Sequence, residues 1–261
     1  MRREMSLPVL HSLRTRVCGE NGAVLYWLDT RELENEIYFS EYYKMMSPER
    51  RRKVDSCLFI KDKRLSLGAG ILMDKGLAAY DLCEREAVVS YRKNGKPYLS
   101  GYPHIHFNLS HSGCRALAVF ARVETGCDIE QVQQADLALA QRFFTRKEYD
   151  FIAGQQGSER QNEAFFRLWT LKESLLKAVG TGLSLSLDAF EITISPQGKI
   201  AVGWKRGVAE DFRCGHFTFR EYRLGEYCAA VCFWKQGTEM QMQAVRVQNV
   251  QLREKVQAEG G

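Results

Sequence analysis

Three short runs of strand-forming residues, 105–109 (IHFNL), 116–121 (ALAVFA) and 126–132 (GCDIEQV), follow one another with only turns between them. Runs spaced this closely read as hairpin-connected strands, because a parallel crossover needs a dozen or more intervening residues. Helical patterns come next, at 136–144 and, after Thr145 as a candidate cap, at 146–153. A polar loop over 154–160 leads into a long amphipathic helix from about 161 to 179, which Gly180-Thr181-Gly182 stops. Four strand-like runs, 189–194, 200–204, 216–220 and 227–234, close the ordered part. Strands that are short, grouped and not strictly alternating with helices define an α+β class.

The first hundred residues repeat that order in outline. A strand at 23–29 precedes helical segments, and Ser47-Pro48-Glu49 supplies an N-cap followed by proline at the first helical position, where its missing N–H costs nothing. Cations crowd the next stretch: Arg50, Arg51, Arg52, Lys53, Lys61, Lys63 and Arg64. An apolar helical run over 65–80, a strand at 87–91 and the turn Lys93-Asn94-Gly95-Lys96-Pro97 complete the half. The expected organisation is 1–104 as an N-terminal half, 105–235 as a C-terminal half and 236–261 as a loosely attached polar tail.

The chain has 261 residues, 45% of them hydrophobic, which suffices for one large domain or two small ones. Its net charge, 37 − 32 = +5, is too small for a dedicated nucleic-acid binder but favours anionic partners such as phosphates or an acidic protein surface. The 8 cysteines show no CxxC or paired Cys/His spacing, which argues against a zinc site and a disulfide framework and for reduced thiols. No apolar stretch reaches the ~18 residues of a membrane span, so a cytoplasmic protein with no membrane partner is expected.

The residues that carry chemistry start at Gly126-Cys127-Asp128-Ile129-Glu130. On a strand, positions i and i+2 share a face, so Asp128 and Glu130 project together while Cys127 and Ile129 face the other way. Two carboxylates held side by side repel unless a cation lies between them, and a hard divalent ion suits oxygen ligands. Taken alone, the pair also reads as two acids on a wet strand edge. On the long helix, Trp169, Glu173 and Lys177 are four apart and form a stripe next to Lys172; an i,i+4 Glu–Lys pair worth ~0.2–0.5 kcal/mol is the plain account of it. Asn108-Leu109-Ser110-His111-Ser112-Gly113 reads as a polar turn at a strand end, or as a phosphate cradle. Ser110 and His111 cannot form a nucleophile–base pair, because adjacent residues on an extended chain face opposite ways.

The order GKPY…FNLSHSG…GCDIE…FFRLWTLKESLLKAVGTGLS resembles the 4'-phosphopantetheinyl transferases of the Sfp type, over roughly residues 47–234. The resemblance implies a pseudo-twofold, duplicated α+β monomer, each half a small mixed sheet packed by helices, with coenzyme A at the seam. It implies transfer of the 4'-phosphopantetheine arm of coenzyme A to a serine of an acyl, peptidyl or polyketide carrier protein, releasing adenosine 3',5'-bisphosphate. Asp128, Glu130 and Glu173 are then expected to bind Mg²⁺, with Mn²⁺ as a substitute, and Lys177 to meet the pyrophosphate. Ser110 and His111 are expected at the coenzyme phosphates, Lys96 near the nucleotide, and Arg50, Lys53 and Arg64 around the 3'-phosphate. Glu173 is the expected base for the carrier serine, with Lys172 as a second cation or proton donor. The segment 141–149 (QRFFTRKEY), with Arg142, Phe143, Phe144, Arg146 and Lys147, offers a basic–aromatic surface to an acidic helical carrier. A non-catalytic coenzyme A-binding module of the same fold is the alternative, and no sequence feature favours it; an RNA-binding role lacks a stacking motif.

Overall fold

The computed structural model describes residues 22–208, 210–236 and 244–252. In chain order the elements are β1 (Gly22–Asp29), α1 (Glu36–Met45), α2 (Pro48–Ser56), α3 (Ile60–Ala78), β2 (Val89–Tyr91), β3 (Pro97–Leu99), β4 (His106–Ser112), β5 (Arg115–Ala121) and β6 (Glu124–Gln131). Then come α4 (Leu137–Phe143), α5 (Arg146–Ala153), α6 (Ser158–Val179), β7 (Phe190–Ile194), β8 (Ile200–Trp204), α7 (Glu210–Arg213), β9 (Gly215–Leu224), β10 (Tyr227–Gln236) and β11 (Ala244–Asn249).

Two sheets lie face to face, and strand alternation builds the layers. One sheet has the order β11-β1-β5-β4 and the other β6-β10-β9. In β1 and β5, Val24, Tyr26, Leu28, Ala116, Ala118 and Phe120 turn to one side, into a core shared with Leu67, Ile71 and Leu77 of α3. The alternate residues Ala23, Leu25, Leu117 and Val119 turn to the other side. There they meet Cys127 and Ile129 of β6 and Ala229, Val231 and Phe233 of β10, closing a core between the sheets. The outer face of the second sheet packs on α6 through Ala230 and Cys232 with Leu168, Leu171 and Leu175. Each half is thus a small sheet under one long helix, α3 or α6, as an α+β reading requires.

Helix ends follow their local chemistry. Ser47 Oγ accepts from the Arg50 amide at 3.1 Å at the start of α2. Thr145 and Glu148 form a reciprocal capping box on α5, and Gly180 ends α6 in the left-handed region at φ 73°.

Three expectations need correction. The polar run at 110–112 is strand, not turn: β4 continues through Ser112, and the reversal falls at Gly113 (φ +58°). The division at residue 104/105 cuts through a sheet, since β4 and β5 pair with β1 and share its core. The tail after Gln236 is not wholly loose: β11 pairs in parallel with β1, and Val250 and Leu252 are buried in the α3-side core. The predicted segments 1–21, 237–243 and 253–261 lie outside the described residues. Among the described residues no helix is long and apolar enough to cross a membrane, and all seven described cysteines are free thiols.

Candidate active site

A missing side chain makes the site possible. A Cβ on Gly126 would strike the Ser174 carbonyl and the Ala178 amide of α6, so only glycine lets the helix cross β6 at this distance. That crossing sets Lys177 against Asp128, with Nζ donating to Oδ1 at 2.6 Å. Ser110 Oγ donates to the same carboxylate oxygen at 2.8 Å and accepts from Lys177 Nζ at 3.2 Å. Two residues further along both strands, Ser112 Oγ donates to Glu130 Oε2 at 2.6 Å. Strands β4 and β6 run side by side in the same direction, and side chains couple them to backbone: the Cys127 amide donates to Asn108 Oδ1 at 3.0 Å and the Gln131 amide to Ser112 Oγ at 3.2 Å.

Ser110, His111, Asp128, Glu130, Trp169, Glu173 and Lys177 line one open cleft of about 380 Å³. The structure therefore brings together both acids of β6, the helix stripe 169/173/177 and the serine–histidine pair of β4. Burial pushes the Glu130 and Glu173 carboxyls above their ordinary range; the Asp128 charge pushes both the same way, and Lys177 opposes it. Burial alone would lower the Lys177 ammonium, but Asp128 outweighs it and holds Lys177 above its ordinary value. His111 is held low by desolvation and by the Lys177 charge.

A divalent cation fits this donor set, with one qualification. Asp128 Oδ2 is buried and has no hydrogen-bond partner among the described residues, and burial and the Asp128 charge hold the Glu130 and Glu173 carboxyls above their ordinary range. A cation answers all three conditions. The expected trio is not a ready-made cage, however: among the described residues no three His, Cys, Asp or Glu side chains are gathered closely enough to hold a metal ion. Lys177 already occupies Asp128 Oδ1. Mg²⁺ typically takes one or two protein carboxylates and completes its shell with phosphate oxygens and water, so a loose trio is compatible with it.

Two further cavities adjoin the cleft, and Leu109 lines all three. One, of about 300 Å³, shares Glu173 and Lys177 with the cleft and is walled by Asn94, Lys96 and Pro97. The other, of about 150 Å³, is lined by Ser47, Arg50, Lys53, Glu84 and Tyr91. Lys53 there donates to the Tyr91 hydroxyl at 2.5 Å and pairs with Glu49 at 3.0 Å, while Arg50 stands 3.8 Å from Glu84. Glu84 itself accepts from the Ser47 amide and hydroxyl, each at 2.8 Å, and so fixes the start of α2.

Several expected residues are placed elsewhere. Lys172 is fully buried on the core-facing side of α6, 2.6 Å from Glu148 and 2.7 Å from the Phe190 carbonyl, so it touches nothing in the cleft. Arg64 pairs with Glu34 at 3.0 Å and does not line the Arg50–Lys53 cavity. Lys96 keeps its stem in the 300 Å³ cavity, but its ammonium is committed to Glu124 and to the Ala178 carbonyl, both at 2.5 Å. In the segment 141–149, Phe144 is core, packed on Phe165 and Trp169, whereas Arg146 and Lys147 are 80% and 79% exposed. Sequence reading missed Glu84 and Glu124, and it took Asn108 and Ser112 only as parts of a polar turn or phosphate cradle. Ser112 had a signal, for Ser110 and Ser112 keep the same two-residue spacing as Asp128 and Glu130.

A family model described as the 4'-phosphopantetheinyl transferase superfamily matches residues 124–232, which span β6 to β10 and contain Asp128, Glu130, Glu173 and Lys177. The 4'-phosphopantetheinyl transferase Sfp of Bacillus subtilis (strain 168) is 33% identical over 170 residues, covering 65% of this chain and 74% of that protein. A 4'-phosphopantetheinyl transferase of Bacillus subtilis is 31% identical over 196 residues, covering 75% and 87%. Among solved structures, a holo-(acyl-carrier-protein) synthase from Bacillus anthracis in complex with coenzyme A aligns with a TM-score of 0.37 at 22% identity, covering 44% of this chain and 97% of that one.

Proposed function

This chain belongs to the 4'-phosphopantetheinyl transferase family, and from that premise we propose how its residues move the phosphopantetheine arm of coenzyme A onto a carrier protein. The carrier serine oxygen forms a bond to the phosphorus that bears the pantetheine arm. The bridging P–O bond breaks, and adenosine 3',5'-bisphosphate leaves with its electron pair. The serine proton goes to a base on the enzyme.

Glu173 is that base. Its carboxyl lines the cleft together with Asp128 and Lys177, where the incoming serine hydroxyl would meet it directly or through a water. Lys177 presents a fixed ammonium to the pyrophosphate and to the charge that grows on the leaving group, and Asp128 and Ser110 hold it in place. Mg²⁺, held by Asp128, Glu130 and Glu173, would supply charge neutralisation of the pyrophosphate. Ser110 and His111 line the phosphate side of the cleft, and Arg50 and Lys53 offer cations to the 3'-phosphate from the small cavity. Lys172 and Arg64 have no part in this scheme.

The observation that carries the reading is the single cleft in which Asp128, Glu130 and Glu173 face Lys177. The chain is taken to act as a cytoplasmic monomer on a carrier whose acidic helix meets Arg146 and Lys147. Incubation with coenzyme A, Mg²⁺ and an apo carrier protein tests it: the carrier should gain the mass of one phosphopantetheine arm. Coenzyme A binding without any mass gain would mark a non-catalytic module instead. If reversing the charges of Arg146 and Lys147 leaves the carrier KM unchanged, the docking assignment is wrong.

A further inference from the structure

The hairpin β2–β3 walls the cavity next to Lys177, yet its two strands have only three residues each. A two-stranded ribbon of that size is marginal in water and must be anchored to hold one shape. Its anchor is a network around one buried cation, Lys96. Lys96, at 7% exposure, sends its ammonium across to Glu124 Oε2 and to the Ala178 carbonyl in the last turn of α6, one residue beyond Lys177. Arg92, at the other side of the hairpin turn, donates to Glu124 Oε1, and His106 Nδ1 lies 3.5 Å from the same oxygen. Gly180 leaves room for the crossing, since a Cβ there would lie 2.7 Å from Lys96 Cδ. Glu124 thus joins the hairpin, β4, β6 and the end of α6 at a single carboxylate.

The carboxylate is held well below its ordinary range: burial would raise it, but His106 and Lys96 outweigh burial. Lys96 is pulled low by burial, with Glu124 opposing it. Neither charge is free to reach a ligand without breaking the other's contacts, and a buried charge left unpaired is expensive.

We propose that Lys96 and Glu124 are positioning residues, which staple the β2–β3 hairpin to the C-terminal end of α6 and so preform the wall against which coenzyme A binds beside Lys177. The proposal rests on the transferase reading for the identity of the ligand. It differs from a direct contact between Lys96 and the nucleotide, because the staple needs Glu124 as much as it needs Lys96.

The test compares Glu124→Gln, Lys96→Met and the double variant with wild type, after circular dichroism has shown each to be folded. Steady-state transfer gives kcat and KM for coenzyme A and for the carrier separately, and calorimetry gives coenzyme A affinity without turnover. The staple requires that each single variant raise the coenzyme A KM at least about five-fold, with kcat and carrier KM within two-fold, and that the double variant be no worse than either single one. If Glu124→Gln tightens coenzyme A binding while Lys96→Met weakens it, Lys96 touches the nucleotide directly and the staple is wrong. Unchanged coenzyme A affinity in folded variants would also overturn it. A wild-type protein that binds coenzyme A but transfers nothing would sink the transferase reading alone, and the calorimetric comparison would still decide the staple.

Discussion

Lys172 and Lys177 show how one residue type takes opposite roles on one helix. The cleft stripe is 169/173/177, whereas 172 falls with 165, 168, 175 and 179, the residues that face the second core. One step along a helix turns a side chain by about 100°, so adjacency to Glu173 in sequence carried Lys172 away from the cleft. Its ammonium sits between the rings of Phe144 and Phe190 and is neutralised by Glu148, which also accepts from the Ile192 and Thr145 amides at 2.7 and 2.8 Å. Lys172→Met therefore strands a buried carboxylate and should cost about 3–5 kcal/mol in urea unfolding, with kcat per folded molecule unchanged. Lys172→Met combined with Glu148→Gln should recover part of that loss. A large fall in kcat without loss of stability would return Lys172 to the chemistry. Ser110→Ala is expected to do the reverse: stability close to wild type, and kcat lower by about ten-fold or more as Lys177 loses one of its two anchors.

At the level of elements, the close crossing of α6 over β6 is the feature most exposed to a small change. Gly126→Ala must push the helix backbone away from the strand, and overpacking against backbone costs about 1–3 kcal/mol or more. The same shift lengthens the Lys177–Asp128 contact, so the activity loss should exceed what lowered stability explains, as a comparison of Tm with kcat would reveal. The Glu124 network sets an acid limit. A carboxyl depressed in the folded state contributes stability above its unfolded value of 4.5, and that stability drains away as pH falls below it. Urea midpoints measured at pH 6 and pH 3.5 should differ less in Glu124→Gln than in wild type. Most elements were legible in the sequence because capping and periodicity are local: Ser47, Thr145, Gly180 and the helix pattern all report on their own neighbours. The end of β4 was not, because Ser110, His111 and Ser112 carry turn-like side chains, and only pairing with Arg115–Leu117 across the hairpin makes them strand.

For the whole molecule, the correction that matters is β11. Its residues are a weak strand signal, and its partner β1 lies at the far end of the chain, where no local pattern can announce it. Leu252 is fully buried in the same core as Tyr42 and Leu33, and its amide donates to Glu32 at 2.9 Å, so residues 244–252 close the first half together with β1. Removing residues 244–261 should lower Tm by several degrees and loosen the α3 half, measurable as faster amide exchange in β1, even though no cleft residue is deleted. The same division between local and long-range signals holds at the site. Spacing put Asp128 and Glu130 on one face and Glu173 in a helix stripe, but their joint role came from the resemblance, and Glu124 and Ser112 take their meaning from strands that only the fold sets side by side. The most direct test of the transferase site is the mass of an apo carrier protein after incubation with coenzyme A, Mg²⁺ and either wild type or Glu173→Gln. Wild type should convert the carrier to its phosphopantetheine form, while Glu173→Gln leaves it unmodified and binds coenzyme A within a few-fold. Conversion by Glu173→Gln at the wild-type rate would contradict the account.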